Sequence, residues 1–269
     1  MLAPRDRIRL DEKERQSMRT AGRFNASLFD FIRPKIRPGI TTREIDRQVY
    51  KFIRDHGHQP ATLGYRVENR SFPASCCTSV NDVICHGIPG DYILRDGDIV
   101  NVDCTSIVNG WHGDSSETFV CGTPSELART VTQVAFDSMW LGIRALTPGC
   151  KVAVIGDAIE AHANKFGFSV VEAYVGHGLG RKFHQPPTVP HVATDESRRT
   201  KIMPGTCFTI EPMINTGGKD SVQSRRDGWT VRTKDGGLSA QFEHTILMTE
   251  TGPEVLTLTQ DGPQEGHRF

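Results

Sequence analysis

Apolar residues near the start of the chain recur at helical spacing. Met18, Ala21, Phe24, Leu28 and Ile32 fall on one face of a helix predicted over residues 11–33, ending before Pro34. After the Pro38-Gly39 turn, Thr41 with Glu44 three residues later forms a capping box. The second helix it starts has Ile45, Val49, Phe52 and Ile53 as its apolar face, and Gly57 closes it. Residues 58–97 read as loop-rich, with Pro60, Pro73, Pro89 and Gly90 around a short apolar run, Val83 to Cys85. At residues 97–122, GDIVNVDCTSIVNGWHGDSSETFVCG, the period changes to two. Helical spacing returns after Pro124-Ser125, with Val131, Val134, Ala135, Met139 and Leu141 running to about Leu146. It returns again after Pro148-Gly149, with Ile155, Ile159 and Ala163 closed by Gly167. From Val170 onward the pattern is strands and loops, punctuated by Pro204-Gly205, Gly217-Gly218 and Gly236-Gly237.

The period-two stretch turns at Asn109-Gly110, a dipeptide whose residues both tolerate the φ > 0 of a type I′ turn. With these as the turn residues, Val108 pairs with Trp111 and Thr105 with Asp114. Asp103, Thr105 and Asp114 then share a face, and the two carboxylates lie about 5–8 Å apart. Like charges that close repel unless a cation sits between them, which suggests a metal cradle. Two solvated strand carboxylates are the plainer reading of the same pattern until other ligands are found.

The second half of the chain repeats the first. Ile45 aligns with Ile155, Val49 with Ile159 and Gly57 with Gly167 at one constant offset. The strand GDIVNVD ending at Asp103 resembles GTCFTIE ending at Glu211, and the strand from Asp114 to Pro124 resembles that from Glu243 to Pro253. Two of these matches place acid on acid. A duplicated unit whose copies face each other would gather four carboxylates about a pseudo-two-fold axis.

Composition narrows the function. At 269 residues the chain can bury a substantial core. Thirty-two basic against thirty-two acidic residues argue against a nucleic-acid binder that relies on bulk charge. The seven cysteines are odd in number and contain no C-x-x-C pair, as in a reduced, cytoplasmic protein. The N-terminal MLAPRDRIRLDEKERQ has no apolar leader core, and no segment approaches the roughly 18 apolar residues of a membrane span.

Histidines complete the candidate chemistry. His177 and His184 stand in the glycine-rich GHGLGRKFH at 176–184, and His86 lies in CHGIP at 85–89. Glycine there permits close approach to a ligand. Taken alone, each histidine reads as readily as a satisfied structural group. Four carboxylates and one imidazole form an oxygen-rich set suited to a pair of divalent transition ions. Two such ions about 3.5–4 Å apart can share a hydroxide that is nucleophilic at neutral pH.

From about Glu14 to Leu258 the chain resembles a type I methionine aminopeptidase. The resemblance rests on CHGIP at 85–89, NVD at 101–103, HGD at 112–114, YVGHGLGRKFH at 174–184, FTIEPM at 208–213, GWT at 228–230 and SAQFEHT at 239–245. It implies the α/β pita-bread fold, a curved antiparallel sheet with helices outside and two related halves. It also implies a single catalytic domain over residues 1–269, with an extension at about 1–13 and halves at roughly 14–123 and 124–258. By the same resemblance Asp103, Asp114, His177, Glu211 and Glu243 are metal ligands, with Asp114 and Glu243 bridging two divalent ions (Co, Mn, Fe or Zn). Asp103 serves one ion alone, and His177 with Glu211 serves the other. His86 and His184 are implied catalytic histidines, the first bonding the scissile amide nitrogen and the second the oxyanion, while Glu211 shuttles a proton to the leaving amine. Tyr65, Phe72, Cys77, Phe183 and Trp229, with His86 and His184, form the implied methionine pocket.

The reaction implied is metal-dependent release of the initiator methionine from nascent chains near the ribosome. The enzyme is expected to be a cytoplasmic monomer with no direct nucleic-acid or membrane partner. His112 shares the face of Asp114 by parity yet is no ligand by resemblance, and is read as a supporting group, as are His191 and His244. Gln241 and Thr245 are read as structural. The pattern departs from the family in two places. The stretch from Arg66 to Ser71 is a few residues longer than in the short bacterial form, and Gln185 stands where an acid is common. Only about thirty residues separate Glu211 from Glu243, too few for a type II helical insert, and the first seventeen residues offer neither a Cys/His zinc-binding extension nor a Pro-x-x-P linker. The rivals are a proline-directed peptidase of the same fold and a non-catalytic pita-bread binding protein.

Overall fold

The first helix is nucleated by Asp11, whose carboxylate accepts from the Glu14 amide while the Glu14 carboxylate accepts from the Asp11 amide, each at 3.0 Å. The computed structural model describes residues 8–269, so the expectations for residues 1–7 lie outside the described residues. At the second helix only half of the expected capping box forms. Thr41 accepts from the Glu44 amide at 3.1 Å, but the Glu44 carboxylate turns to Arg47 and Gln48 instead.

The helices are α1 (Glu12–Ile32), α2 (Thr42–Asp55), α3 (Glu126–Arg144) and α4 (Ala153–Ala163). Between α2 and α3 lie β1 (Gln59–Pro60), β2 (Arg66–Val67), β3 (Arg70–Ser71), β4 (Cys77–Val80), β5 (Val83–Cys85), β6 (Ile99–Val108) and β7 (Trp111–Val120). After α4 come β8 (Ser169–Val170), β9 (Gly176–Gly178), β10 (Gln185–Val189), β11 (Cys207–Ile210), β12 (Met213–Asn215), β13 (Ser221–Gln223), β14 (Val231–Thr233), β15 (Ser239–Gln241), β16 (Glu243–Met248) and β17 (Pro253–Val255). Among the described residues, nine strands form one antiparallel sheet in the order β1-β6-β7-β16-β11-β9-β10, with β4 on β6 and β17 on β16.

The predicted hairpin forms in the predicted register. Val108 pairs with Trp111 and Thr105 with Asp114, and Asn109 and Gly110 have φ of 51° and 80°. At the centre of the sheet β7 runs antiparallel to β16, and Ser115 pairs with His244. The sequence separation that links Asp114 to Glu243 also links Ser115 to His244, so each of these two residues pairs with its own counterpart. That is what a local two-fold axis between the strands requires.

Alternation along the strands divides the sheet into two faces. One face carries Val100, Val102, Cys104 and Phe119, covered by Leu28, Phe29, Ile32, Ile45, Val49 and Ile53 of α1 and α2. In the other half, Phe208, Ile210, Ile246 and Met248 are covered by Val131, Val134, Ala135, Met139, Ile155 and Ile159 of α3 and α4. The alternate positions, including Asp103, Asp114, Thr209 and Glu243, point away from the helices. Asn25 ties α1 to both central strands, donating to Cys104 O at 2.9 Å and to Ser115 Oγ at 2.7 Å and accepting from Ser106 Oγ at 2.8 Å.

Helix α1 lies so close that a Cβ on Gly113 would stand 2.3 Å from the Ala21 carbonyl oxygen. Gly113→Ala is expected to destabilise the fold by about 1–3 kcal/mol through overpacking, read as a lower urea midpoint.

Two segments differ from expectation. Residues 77–80 form β4, paired with β6 from Cys77↔Asp103 to Val80↔Val100, because β6 supplies ladder partners that the local sequence does not announce. The long segment after Tyr65 folds as the β2–β3 hairpin, turning through Glu68 at φ 52°. All seven cysteines are free, and among the described residues no helix is long and apolar enough to cross a membrane.

Candidate metal centre

The residues predicted to bind metal come from five strand segments that meet on the face away from the helices. On β6 and β7, Thr105 Oγ1 donates to Asp114 Oδ1 at 2.7 Å, and Thr245 of β16 donates to the Asp114 carbonyl at 2.7 Å and accepts from its amide at 3.2 Å. Just past β11, Glu211 is held in the same manner. Thr209 Oγ1 donates to its Oε1 at 2.7 Å, Gln241 Nε2 to its Oε2 at 3.2 Å, and its amide donates to His191 Nε2 at 3.1 Å.

His177 stands on β9 between two glycines that cannot be replaced. A Cβ on Gly176 would lie 2.6 Å from Thr209 O, and one on Gly178 would lie 2.1 Å from Pro186 O. With Nδ1 donating to the Gly178 carbonyl at 3.1 Å, Nε2 is left as an acceptor, 3.7 Å from both Asp114 Oδ2 and Glu211 Oε1. Asp114, His177 and Glu243 each offer a ligand atom within 4.8 Å of the others. Asp103 and Glu211 lie outside that tight group but line the same cavity.

The donor set fits a divalent cation. Burial first, then repulsion from neighbouring carboxylates, holds Asp114, Glu211 and Glu243 well above the usual carboxyl range. Burial pushes Asp103 up to about 7. Carboxylates gathered like this resist ionisation, and a bound cation would offset both the burial and the repulsion.

Every predicted site residue lines one cavity of about 600 Å³: Asp103, Asp114, His177, Glu211 and Glu243 with His86, His184, Tyr65, Phe72, Cys77, Phe183 and Trp229. Phe72 meets Trp229 edge-on at 5.3 Å, and Tyr65 meets Phe183 at 5.2 Å, giving an apolar wall beside the carboxylates. His86 sits at φ 55°, a left-handed conformation costly for a residue other than glycine. The following Gly87 is pressed against strand β4, where a Cβ would lie 2.2 Å from Thr78 O. Burial lowers the His86 pKa to about 4, so its imidazole is neutral. His184 Nδ1 is 2.9 Å from the Tyr65 hydroxyl, and its ring stacks on Phe183.

Sequence reasoning did not single out Tyr174, Met213, Thr62 or Val67, which also line the cavity. Gln241, read as structural, holds the Glu211 carboxylate with its side-chain amide. Parity offered a signal for Thr209 and Gln241, each two residues before a predicted ligand. His112 lies outside the cavity lining. Its Nδ1 bonds Gly180 O at 2.9 Å, and its ring stacks on Phe183 at 5.8 Å. His112→Ala is therefore expected to lower kcat/KM by only about threefold to tenfold, at or below the roughly 10–100-fold of a group that directly supports a ligand. His244 is likewise remote, its Nδ1 2.9 Å from Thr257 Oγ1.

The sequence profile of metallopeptidase family M24 matches residues 16–250. Methionine aminopeptidase A of Synechocystis sp. is 49% identical over 93% of this chain and 96% of that protein. The methionine aminopeptidase of Escherichia coli K12 is 45% identical over 91% of this chain and 92% of that protein. The crystal structure of methionine aminopeptidase from Rickettsia prowazekii matches with a TM-score of 0.89 at 43% identity, covering 93% of this chain and 99% of that one. The curved antiparallel sheet with outer helices is the pita-bread fold. The chain belongs to metallopeptidase family M24 and, within it, to the methionine aminopeptidases.

Proposed function

We propose that this enzyme hydrolyses the first peptide bond of proteins and peptides and releases their N-terminal methionine. One observation carries the reading: a carboxylate-rich ligand set and two histidines converge on the floor of a single cavity that has an apolar wall. The unbranched thioether of methionine suits the ring-lined wall of Tyr65, Phe72, Phe183 and Trp229, with the Cys77 thiol beside them.

Asp103, Asp114, His177, Glu211 and Glu243 would hold two divalent ions (Co, Mn, Fe or Zn). When bound, such ions supply a nucleophile at neutral pH and polarise the scissile carbonyl. The protein's own groups do the rest. Neutral His86 hydrogen-bonds the scissile amide nitrogen and fixes its orientation. His184 donates to the carbonyl oxygen as negative charge develops there. Glu211 accepts a proton from the attacking water and delivers it to the leaving amine as the carbon–nitrogen bond breaks. The apolar wall excludes water from the methionine side chain. In the cell, the substrates would be the N-termini of nascent chains close to the ribosome, with the enzyme a cytoplasmic monomer.

Metal-reconstituted protein incubated with Met-Ala-Ser is expected to release methionine, with no release of Xaa from Xaa-Pro peptides. Cleavage before proline without methionine release would replace this reading with that of a proline-directed peptidase, and no cleavage of either would favour a binding protein.

A further inference from the structure

The β2–β3 hairpin (Arg66–Val67 and Arg70–Ser71) projects from the rim of the cavity and is not absorbed by the chemistry above. Its base is fixed by main-chain bonds from the Phe72 amide to Tyr65 O at 2.8 Å and from the Gly64 amide to Phe72 O at 2.9 Å. Val67 pairs with Arg70, and alternation puts both on the face of Tyr65 and Phe72, toward the cavity. The tip is anchored as well. Arg70 donates to Gly228 O at 3.2 Å, and its guanidinium packs directly against Gly228, whose φ is +70°. Gly228 precedes Trp229 of the apolar wall, so the hairpin is clamped to the pocket at both ends. Between the clamps the Val67 side chain lines the cavity while remaining 49% exposed.

Resting on the proposed aminopeptidase reading, we propose that this hairpin is a specificity wall for the peptide beyond the scissile bond, and that Val67 contacts an apolar side chain on the third residue of the substrate. The spacing supports the assignment. Tyr65 is at the level of the reacting bond, because its hydroxyl touches His184. Val67 lies two strand residues farther out, about 7 Å at the rise of a β-strand. An extended peptide advances at nearly the same rate, about 3.3–3.6 Å per residue, so two residues past the first bring the third opposite Val67. A cavity of about 600 Å³ is in the range that encloses a drug-sized ligand and has room for more than one side chain. The exposed isopropyl group offers an apolar third residue a surface to bury.

The test compares methionine release from Met-Ala-Leu-Ser, Met-Ala-Asp-Ser and methionyl p-nitroanilide, which has no third residue, by the metal-loaded wild type and by Val67→Asp. The expected result is a preference for the Leu peptide in the wild type and a loss of about tenfold in its kcat/KM in Val67→Asp, with the loss confined to substrates that carry a third residue. Val67→Thr, which keeps the branched shape, is expected to show the same change in preference at smaller amplitude. An unchanged Leu:Asp ratio in both variants, or an equal loss on the anilide, overturns the wall while leaving the proposed function standing. Absence of methionine release from all three substrates in the wild type overturns both.

Discussion

Glu211→Ala is expected to lower kcat for methionine release by about 10²–10⁴, the contribution of a positioned general acid–base group. The carboxylate is held at both oxygens, by Thr209 at 2.7 Å and Gln241 at 3.2 Å, and its Oε1 lies 3.7 Å from His177 Nε2. Such restraint suits a group that must meet a water on one side and a leaving amine on the other without reorganising. Glu211→Gln separates proton transfer from shape, since the amide fills the same space and cannot carry the proton. Steady-state kinetics alongside metal analysis would show a kcat loss comparable to that of the alanine variant at retained metal content. A glutamine variant keeping more than roughly a tenth of wild-type kcat would remove Glu211 from the proton path.

The second large effect concerns metal removal. Exhaustive chelation is expected to abolish peptide hydrolysis and to lower the melting temperature. A ligand bound only to the folded state at a hundredfold excess over Kd adds about 2.7 kcal/mol. That corresponds to roughly 5–10 °C at this chain size. The gap should depend on pH in a definite direction. Asp103 is raised from 3.8 to about 7 in the fold, and burial also holds Asp114, Glu211 and Glu243 well above the usual carboxyl range. A carboxyl with a raised folded pKa contributes fully below its unfolded pKa, and that contribution is lost as pH rises through the folded value. The metal-free protein therefore weakens between pH 3.8 and about 7 and beyond. Paired melts at about pH 6 and about pH 8 should show the larger stabilisation by metal at the higher pH. A gap that shrinks as pH rises would contradict an ionised carboxylate cradle.

How much of this was legible in the chain depends on the range of the signal. The β6–β7 hairpin was readable because Asn109-Gly110 fixes the turn and parity then fixes every partner, including Thr105 opposite Asp114. Glu211 and Glu243 were found by aligning acid with acid between the halves, which works while the repeat keeps its spacing. His177 was different. Its strand is three residues long and reads locally as a glycine-rich loop, which made it one of three candidate histidines, and the family resemblance singled it out as the ligand. Strand β4 was missed because its ladder partner is β6, and the rim hairpin because its two-residue strands pair only with each other and carry no alternating apolar run. Gln241 was read as structural with no partner named. Its contact with Glu211 joins β15 to the end of β11, and parity places Gln241 on the ligand face without naming the residue it reaches.

The pairing of Ser115 with His244 has a consequence for the order of events in folding. The first proposed ligand, Asp103, and the last, Glu243, are separated by more than half the chain, and they come together where β7 meets β16 at Ser115↔His244 and Ser116↔Glu243. Non-local pairing of this kind forms late, because the chain entropy of closing a long loop must be overcome before the contact rewards it. A fragment ending before β16 lacks Glu243 and also the strand that joins β7 to the second half of the sheet. Metal capture therefore belongs to the final stage of folding, and neither half of the repeated unit is expected to hold metal or cleave peptide by itself.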